Sequence, residues 1–402
     1  MHKIKHLEFS LFTHYYFQPV QLIYCLLCSV ICRVSESRFI QSVIKTISDM
    51  KLNDSRLNVA KFPVGVNSHA KEIESLLDFE SNDVRIVAIH GLGGIGKTTI
   101  AKAVYNRIVD SFEGSCFLEN VRENSRTSDG KIQLQEKILS KILRRSHVKV
   151  DNVSRGINVI KERLCNKRVL LILDDVDNSK QIEDLLGDCD WFLSSSRVII
   201  TTRDEHVLAT LPQGCKTYKV KELGAHEALE LFSQHAFHKS KPPQDYLELA
   251  YQVVDYTKGL PLALTIIGSD LYGRTNDEWK TAINKYEKIP EAEILKKLKV
   301  SYDGLEETEK EIFLDISCFF RGWSKDYVVN ILDACELFPN DGIPRLVNKC
   351  LINDEQNGTL SMHDLLQQMG RNIVQQESPI IPKRSRLWDH DDALEVLVGS
   401  KV

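Results

Sequence analysis

A chain of 402 residues is long enough for two or three domains of about 150 residues each. Its hydrophobic content of 43% and charged content of 27% are those of an ordinary globular protein and exclude a disordered or fibrous polymer. The 52 Lys and Arg against 56 Asp and Glu leave a net charge of −4, which is not the balance of a nucleic-acid binder beyond a local basic patch.

Met1 to Val34 starts basic, at His2, Lys3, Lys5 and His6, and then turns apolar from Val20 to Cys32. A membrane span needs about 20 apolar residues, so this run is too short, and no small-x-small cleavage site follows it. It reads as a divergent or truncated N-terminus with no targeting role, a weak membrane anchor and then a signal peptide being the alternatives. Membrane contact by this segment is not expected. The ten cysteines are scattered without the repeated spacing of a disulfide framework. They read as reduced, mostly buried thiols of a cytoplasmic protein. Cys25-Leu26-Leu27-Cys28 has C-x-x-C spacing but no redox or zinc context.

From Val84 to about Val220 strands alternate with helices. Strands are expected at Val84–His90, Cys116–Val121, Arg168–Asp174, Arg197–Thr202 and Tyr218–Val220. Helices are expected at Ala101–Val109, Ile132–Leu143, Ile157–Cys165 and Gln181–Leu186. That alternation predicts an α/β domain with a parallel sheet covered on both faces.

Between the first strand and its helix lies Gly91-Leu92-Gly93-Gly94-Ile95-Gly96-Lys97-Thr98-Thr99, a G-x-x-x-x-G-K-T loop in the strand–loop–helix context such a loop needs. Glycines let the backbone wrap phosphates and point N–H groups inward. The helix N-terminus adds partial positive charge. Lys97 would set a point charge on the terminal phosphates, and Thr98 would offer a hydroxyl to Mg2+.

The apolar run Val169–Leu173 ends in Asp174-Asp175. A buried strand of this kind delivers a carboxylate to the crevice at the sheet's C-terminal edge. Asp174 is the expected metal ligand. Asp175 is the candidate catalytic residue, able to orient or deprotonate a water. A third strand ends in Thr201-Thr202-Arg203, and Arg203 is a candidate phosphate sensor because a planar guanidinium pairs well with phosphate oxygens.

After Gly224 the strand signals mostly stop. Helices over His226–Phe237, Tyr246–Tyr256, Leu262–Leu271 and Glu278–Tyr286 suggest a small bundle. A further unit carries helices at Ile294–Tyr302, Glu307–Phe319, Lys325–Ala334 and Ile343–Asn348. A hairpin then turns at Asn357-Gly358, and a helix spans His363–Gln375, so this unit reads as a winged helix. No fixed-period repeat is present.

The order of Gly91–Thr99, Leu170–Asp177, Ser196–Asp204, Gly259-Leu260-Pro261-Leu262-Ala263 and Met362-His363-Asp364 resembles the NB-ARC module of plant intracellular immune receptors. Phe117–Glu123, Asp177 and Phe313–Phe320 look like the subclass with an N-terminal Toll/interleukin-receptor (TIR) domain. The resemblance covers about Ser37 to Ser400. It implies a P-loop NTPase of the STAND class over residues 53–222, a helical bundle over 223–290 and a winged helix over 291–402, with 1–52 a divergent start and remnant linker. It also implies that ADP or ATP is held by Gly91, Gly93, Gly94, Ile95, Gly96, Lys97, Thr98 and Thr99. Val64, Gly65 and Pro261 would lie against the base, His363 would contact the ADP β-phosphate, and Arg203 would read the γ-phosphate. From the residues alone, Pro261 is only a proline at a helix start, and His363 is a histidine between a hairpin and a helix.

On this resemblance the TIR domain is represented only by its trailing linker, roughly Ser37 to Leu52, and leucine-rich repeats are missing after Leu397. No NAD-cleaving activity is carried over. The implied function is an ADP/ATP switch in plant defence signalling with slow hydrolysis at most. Self-association or pairing with related receptors is the implied partnership, and no nucleic acid is expected. A truncated adaptor of full-length receptors, a plain P-loop ATPase and a winged-helix DNA binder are the competing readings. The last would need exposed Lys and Arg on its groove helix, whereas Glu307–Phe319 and Lys325–Ala334 are mixed in charge.

Overall fold

Alternating side chains that are apolar on both faces of a strand predict a sheet buried from both sides. The computed structural model describes residues 40–41, 56–143, 148–187, 191–211, 214–288 and 291–399. The apolar run before Val34 and nearly all of the expected linker lie outside these residues. From Leu57 onward the chain forms one unit.

Helix α1 (Val66–Leu77) leads into strand β1 (Arg85–His90) and helix α2 (Lys97–Ile108). Strand β2 (Gly114–Leu118), the short α3 (Val121–Asn124), α4 (Ser128–Leu143) and α5 (Val153–Leu164) follow. Then come β3 (Val169–Val176), α6 (Ser179–Leu186), β4 (Arg197–Thr202) and β5 (Lys216–Lys219). The five strands are parallel in the order β2-β3-β4-β1-β5. This order sets the C-terminal ends of β3, β4 and β1 side by side, where open α/β sheets hold their ligands.

Successive residues divide between two cores. Val87, Ile89, Leu170, Ile172 and Ile199 face one, while Ile86, Val169, Leu171, Leu173, Val198 and Ile200 face the other. Each fully buried Ile or Leu contributes roughly 1.5–3 kcal/mol. Helices α4, α5 and α6 cover the second face. The first face is continuous with α1, α2 and the buried apolar residues from Val220 to Val374.

The bundle consists of α7 (Ala225–Phe237), α8 (Leu247–Thr257), α9 (Pro261–Leu271) and α10 (Asn276–Lys288). Trp279 is buried at its centre, edge-on to Phe232 at 5.6 Å, and its indole N–H donates to the Leu271 carbonyl at 3.0 Å. Helices α11 (Ala292–Asp303), α12 (Glu307–Asp315), α13 (Lys325–Ala334) and α14 (Pro339–Asn348) precede the antiparallel pair β6 (Asn353–Asp354) and β7 (Leu360–Ser361). Helices α15 (Asp364–Glu377) and α16 (His390–Gly399) follow.

Four details differ from the sequence reading. Strand β2 stops at Leu118, because Asn120 turns left-handed at φ 54° and Val121 opens α3. The helix expected over Glu307–Phe319 ends at Asp315 and continues as a π-turn over Ile316–Phe320. The hairpin strands are only two residues each. Helices α1 and α16 are additions. The buried positions of α1, Val66, Ala70, Ile73 and Leu77, recur at helical spacing.

Arg197, at the start of β4, is 1% exposed and serves as a staple. Its Nη1 donates to the carbonyls of Asp83 and Ser196 at 2.8 and 3.0 Å, and its Nη2 to those of Asp78 and Ser81 at 2.6 and 2.9 Å. One guanidinium thus satisfies the loop between α1 and β1. Arg197→Ala empties a buried site and strips four backbone carbonyls of a donor, and is expected to lower unfolding free energy by about 3 kcal/mol in denaturant titration. A loss below about 1 kcal/mol would contradict the staple.

Candidate functional site

The loop Gly91–Gly96 joins β1 to α2, and its backbone turns left-handed at Gly94 (φ 83°) and Gly96 (φ 101°). A Cβ on Gly94 would also fall 2.7 Å from the Leu262 side chain, so the bundle rests on the loop there. The Leu262 N–H donates to the Gly94 carbonyl at 3.2 Å, which fixes the start of α9 to the loop. Pro261 occupies the first position of that helix, where a missing N–H costs nothing.

Lys97 is the first residue of α2 and is buried. Its ammonium donates to the carbonyls of Gly91 and Leu92 at 2.7 and 3.0 Å. Burial, with a smaller contribution from the Arg203 charge, pushes this amine down to about 7. An anion beside it would reverse that.

Asp174 is buried at the end of β3. Its Oδ1 accepts from the Thr98 hydroxyl at 2.8 Å and from the Thr201 hydroxyl at 2.7 Å. Burial raises its carboxyl above the usual range, against those two hydrogen bonds. The expected pair Thr98 and Asp174 therefore stands together as two hard oxygen donors. Among the described residues no group of three or more His, Cys, Asp or Glu gathers as a dedicated metal cage.

Asp175 is left-handed at φ 60°, and its N–H donates to Thr201 Oγ1 at 2.9 Å. Both carboxylate oxygens face cations. Arg122 Nη2 lies 2.8 Å from Oδ2, and Arg203 Nε lies 3.3 Å from Oδ1. Arg203 also donates from Nη1 to the Lys297 carbonyl of α11 at 3.1 Å. The same nitrogen lies 2.9 Å from where a Cβ on Gly93 would be, so Arg203 rests against the phosphate loop.

A cavity of about 300 Å³ lies beside the loop. Val64, Gly65, Ile95, Gly96, Thr99 and Pro261 line it, bringing together six of the expected binding residues. His363 does not line this cavity. It caps α15, where its Nδ1 accepts from the Leu365 N–H at 3.1 Å. Its Nε2 is buried without a hydrogen-bond partner among the described residues. Burial holds its ring below the ordinary histidine range.

Some residues of the site were not legible as such. Phe62, His235 and Thr265 also line the cavity, and Phe62 meets His235 edge-on at 5.0 Å. They come from three distant segments with no shared motif. Thr201 could have been found, since it precedes Arg203 by two residues at a strand tip. The ion pair between Lys349 and Asp204, at 2.8 Å, crosses from the winged-helix region to the end of β4 and had no sequence signal.

Residues 66–242 match the NB-ARC domain, and residues 306–378 match the winged-helix domain described as Disease resistance protein Roq1-like. The chain is 46% identical over 363 residues to Disease resistance protein RUN1 of Vitis rotundifolia, covering 89% of this chain and 27% of that protein. It is 42% identical over 366 residues to TMV resistance protein N of Nicotiana glutinosa, covering 89% of this chain and 31% of that one. The chain thus spans about a quarter to a third of the length of these relatives. Among solved structures, the Walker-type ATPase of Pyrococcus abyssi superposes with a TM-score of 0.56 at 14% identity, over 80% of this chain and 99% of that one. This likeness supports the P-loop NTPase fold. With its phosphate loop, paired strand-end acids and winged helix in this order, the chain carries an NB-ARC nucleotide-binding domain followed by a Roq1-like winged-helix domain, and it is similar over most of its length to plant disease resistance proteins.

Proposed function

We propose that the chain is the ADP/ATP-controlled switch of a plant defence receptor. Its working parts are a nucleotide-binding domain over residues 53–222, a bundle over 223–290 and a winged helix over 291–402. The observation that carries this reading is that later segments close directly onto the phosphate loop and the neighbouring strand ends. Leu262 binds Gly94, Arg203 binds the Lys297 carbonyl, and Lys349 pairs with Asp204. A ligand biases such a closed arrangement only through its difference in affinity between closed and open forms.

The residues fit an adenine nucleotide with Mg2+. Gly96 leaves open space beside the loop backbone, with nothing within 4 Å of where a Cβ would stand. Thr98 and Asp174 supply hard oxygens, and such a cation keeps most of its shell from phosphate and water rather than from a protein cage. The buried, unpartnered Nε2 of His363 supports a role for that histidine as a contact for an anion in the closed form. The cation, when bound, would neutralise phosphate charge. Lys97 adds a second positive charge, Pro261 and Val64 exclude water from the base, and Arg203 distinguishes three phosphates from two.

Hydrolysis is slow in this reading, because both oxygens of Asp175 are held by guanidinium groups. Opening would expose surfaces for self-association or pairing with related receptors. The cytoplasm, where ATP is available, is the proposed compartment. No helix among the described residues is long and apolar enough to cross a membrane.

The nucleotide that copurifies with the protein tests the reading, with ADP expected. Lys97→Arg moves the charge out of a buried, fitted site and is expected to abolish ADP binding in titration calorimetry; unchanged affinity would refute the phosphate-loop role. Asp174→Ala is expected to weaken Mg-ATP binding by at least about tenfold more than ADP binding, on the scale of a lost charge-assisted contact. Equal losses would count against a metal role.

The pH dependence follows from Lys97. Its amine is held at about 7 in the folded protein against 10.5 in a free chain. Between those values the unfolded chain binds more protons, so the ligand-free protein gains stability as pH rises across that window. Phosphate binding restores the proton. Calorimetry at pH 8 in two buffers of different ionisation enthalpy should therefore show proton uptake on ADP binding, and no uptake would sink the assignment.

A further inference from the structure

Arg122 is brought to the nucleotide site by local geometry that phosphate binding does not explain. Left-handed Asn120 ends the segment after β2, and fully buried Val121 anchors the four-residue α3. The next side chain, Arg122, is 15% exposed and reaches the Asp175 carboxylate at 2.8 Å. That carboxylate is also shared with Arg203 at 3.3 Å, and Arg203 spends a second donor on the Lys297 carbonyl. Arg203 is therefore held by a carboxylate and a carbonyl, both acceptors of the kind that phosphate oxygens replace.

Charge decides how tightly it is held. Asp175 carries one negative charge between two guanidinium groups, all three largely buried. With Arg122 present, the carboxylate divides its hydrogen bonds and its field. Without it, Asp175 would have Arg203 as its sole cation in this trio and would hold that guanidinium with an undivided field, and incoming phosphates would meet one positive charge fewer. Charges that are largely buried act strongly on each other because solvent screens them poorly.

We propose that Arg122 is a positioning residue: it offsets Asp175 and thereby keeps Arg203 available to a nucleoside triphosphate. Asp175 acts in this scheme as the acceptor that parks Arg203 on α11, and a third phosphate competes with that parking place. Release of the Lys297 carbonyl then accompanies triphosphate binding, which couples the phosphate count to the contact with α11. This inference rests on the nucleotide-switch reading above and adds its regulating pair.

The test is a double-mutant cycle on the full chain. Affinities for ADP and for Mg-ATP are measured by competition against a fluorescent ADP analogue. Arg122→Gln is expected to lower ATP affinity about tenfold while ADP affinity stays within about twofold, the usual size of coupling between contacting charges. Asp175→Asn should raise ATP affinity relative to ADP affinity. The double variant Arg122→Gln/Asp175→Asn should recover to within about twofold of Asp175→Asn alone, since no anion remains to offset. A merely structural arginine would lose ADP and ATP equally and would not be rescued by the asparagine; that result overturns the proposal. So does an Asp175→Asn variant that loses ATP turnover with an unchanged ATP-to-ADP affinity ratio, which would make Asp175 a base. Wild-type protein that binds neither nucleotide would instead refute the switch reading itself. Arg122→Lys, which keeps the charge, guards against misfolding and should fall between wild type and Arg122→Gln.

Discussion

One buried carboxylate ties the phosphate loop to the sheet. Asp174 receives the Thr98 hydroxyl from the first turn of α2 and the Thr201 hydroxyl from the end of β4. Three segments far apart in the chain are thereby fixed to within a hydrogen bond of each other. A buried carboxylate needs such donors to be tolerated at all. The donors need β3 and β4 to be neighbours, and the parallel order β2-β3-β4-β1-β5 makes them so. The site's geometry is thus a consequence of strand order as much as of the residues that line it.

Around this anchor, polar contacts with the later segments are few and fall at the phosphate loop and the ends of β4 and β5. The bundle touches the loop at Gly94, α11 offers its Lys297 carbonyl, and Lys349 reaches Asp204. Farther out, Lys258 and Arg321 both pair with Asp364, next to His363. These side chains are 28–44% exposed, so water screens the pairs and each is worth little by itself. An arrangement held by weak or replaceable contacts near one site is suited to being shifted by what occupies that site. The apolar core between the same segments is continuous, from Val87 in the sheet to Phe232 in the bundle and Phe313 in α12. Under the proposed switch, opening would part apolar surface as well as ion pairs.

The arginines show how one residue type takes opposite roles. Arg197 is spent on the backbone, saturating carbonyls of the loop before β1. Arg203 and Arg122 share a single carboxylate and keep donors in reserve near the loop. A rigid planar fork of five donors suits both uses better than the point charge of a lysine.

The chain itself determined the sheet and the phosphate loop. Uniformly apolar strands such as Val169–Leu173, and a Gly-Lys-Thr turn between a strand and a helix, carry their meaning locally, because period-two burial and glycine geometry are properties of short segments. The residues of the bundle and winged helix were legible as helices for the same reason. What the tertiary structure alone decided is who meets whom. Phe62, His235 and Thr265 reach the cavity from the segment before α1, from α7 and from α9. Arg122 meets Asp175 only because β2 pairs with β3 and α3 sits on β3's end. Contacts between residues fifty or more positions apart depend on strand order and lobe closure, and no local pattern of side chains encodes either.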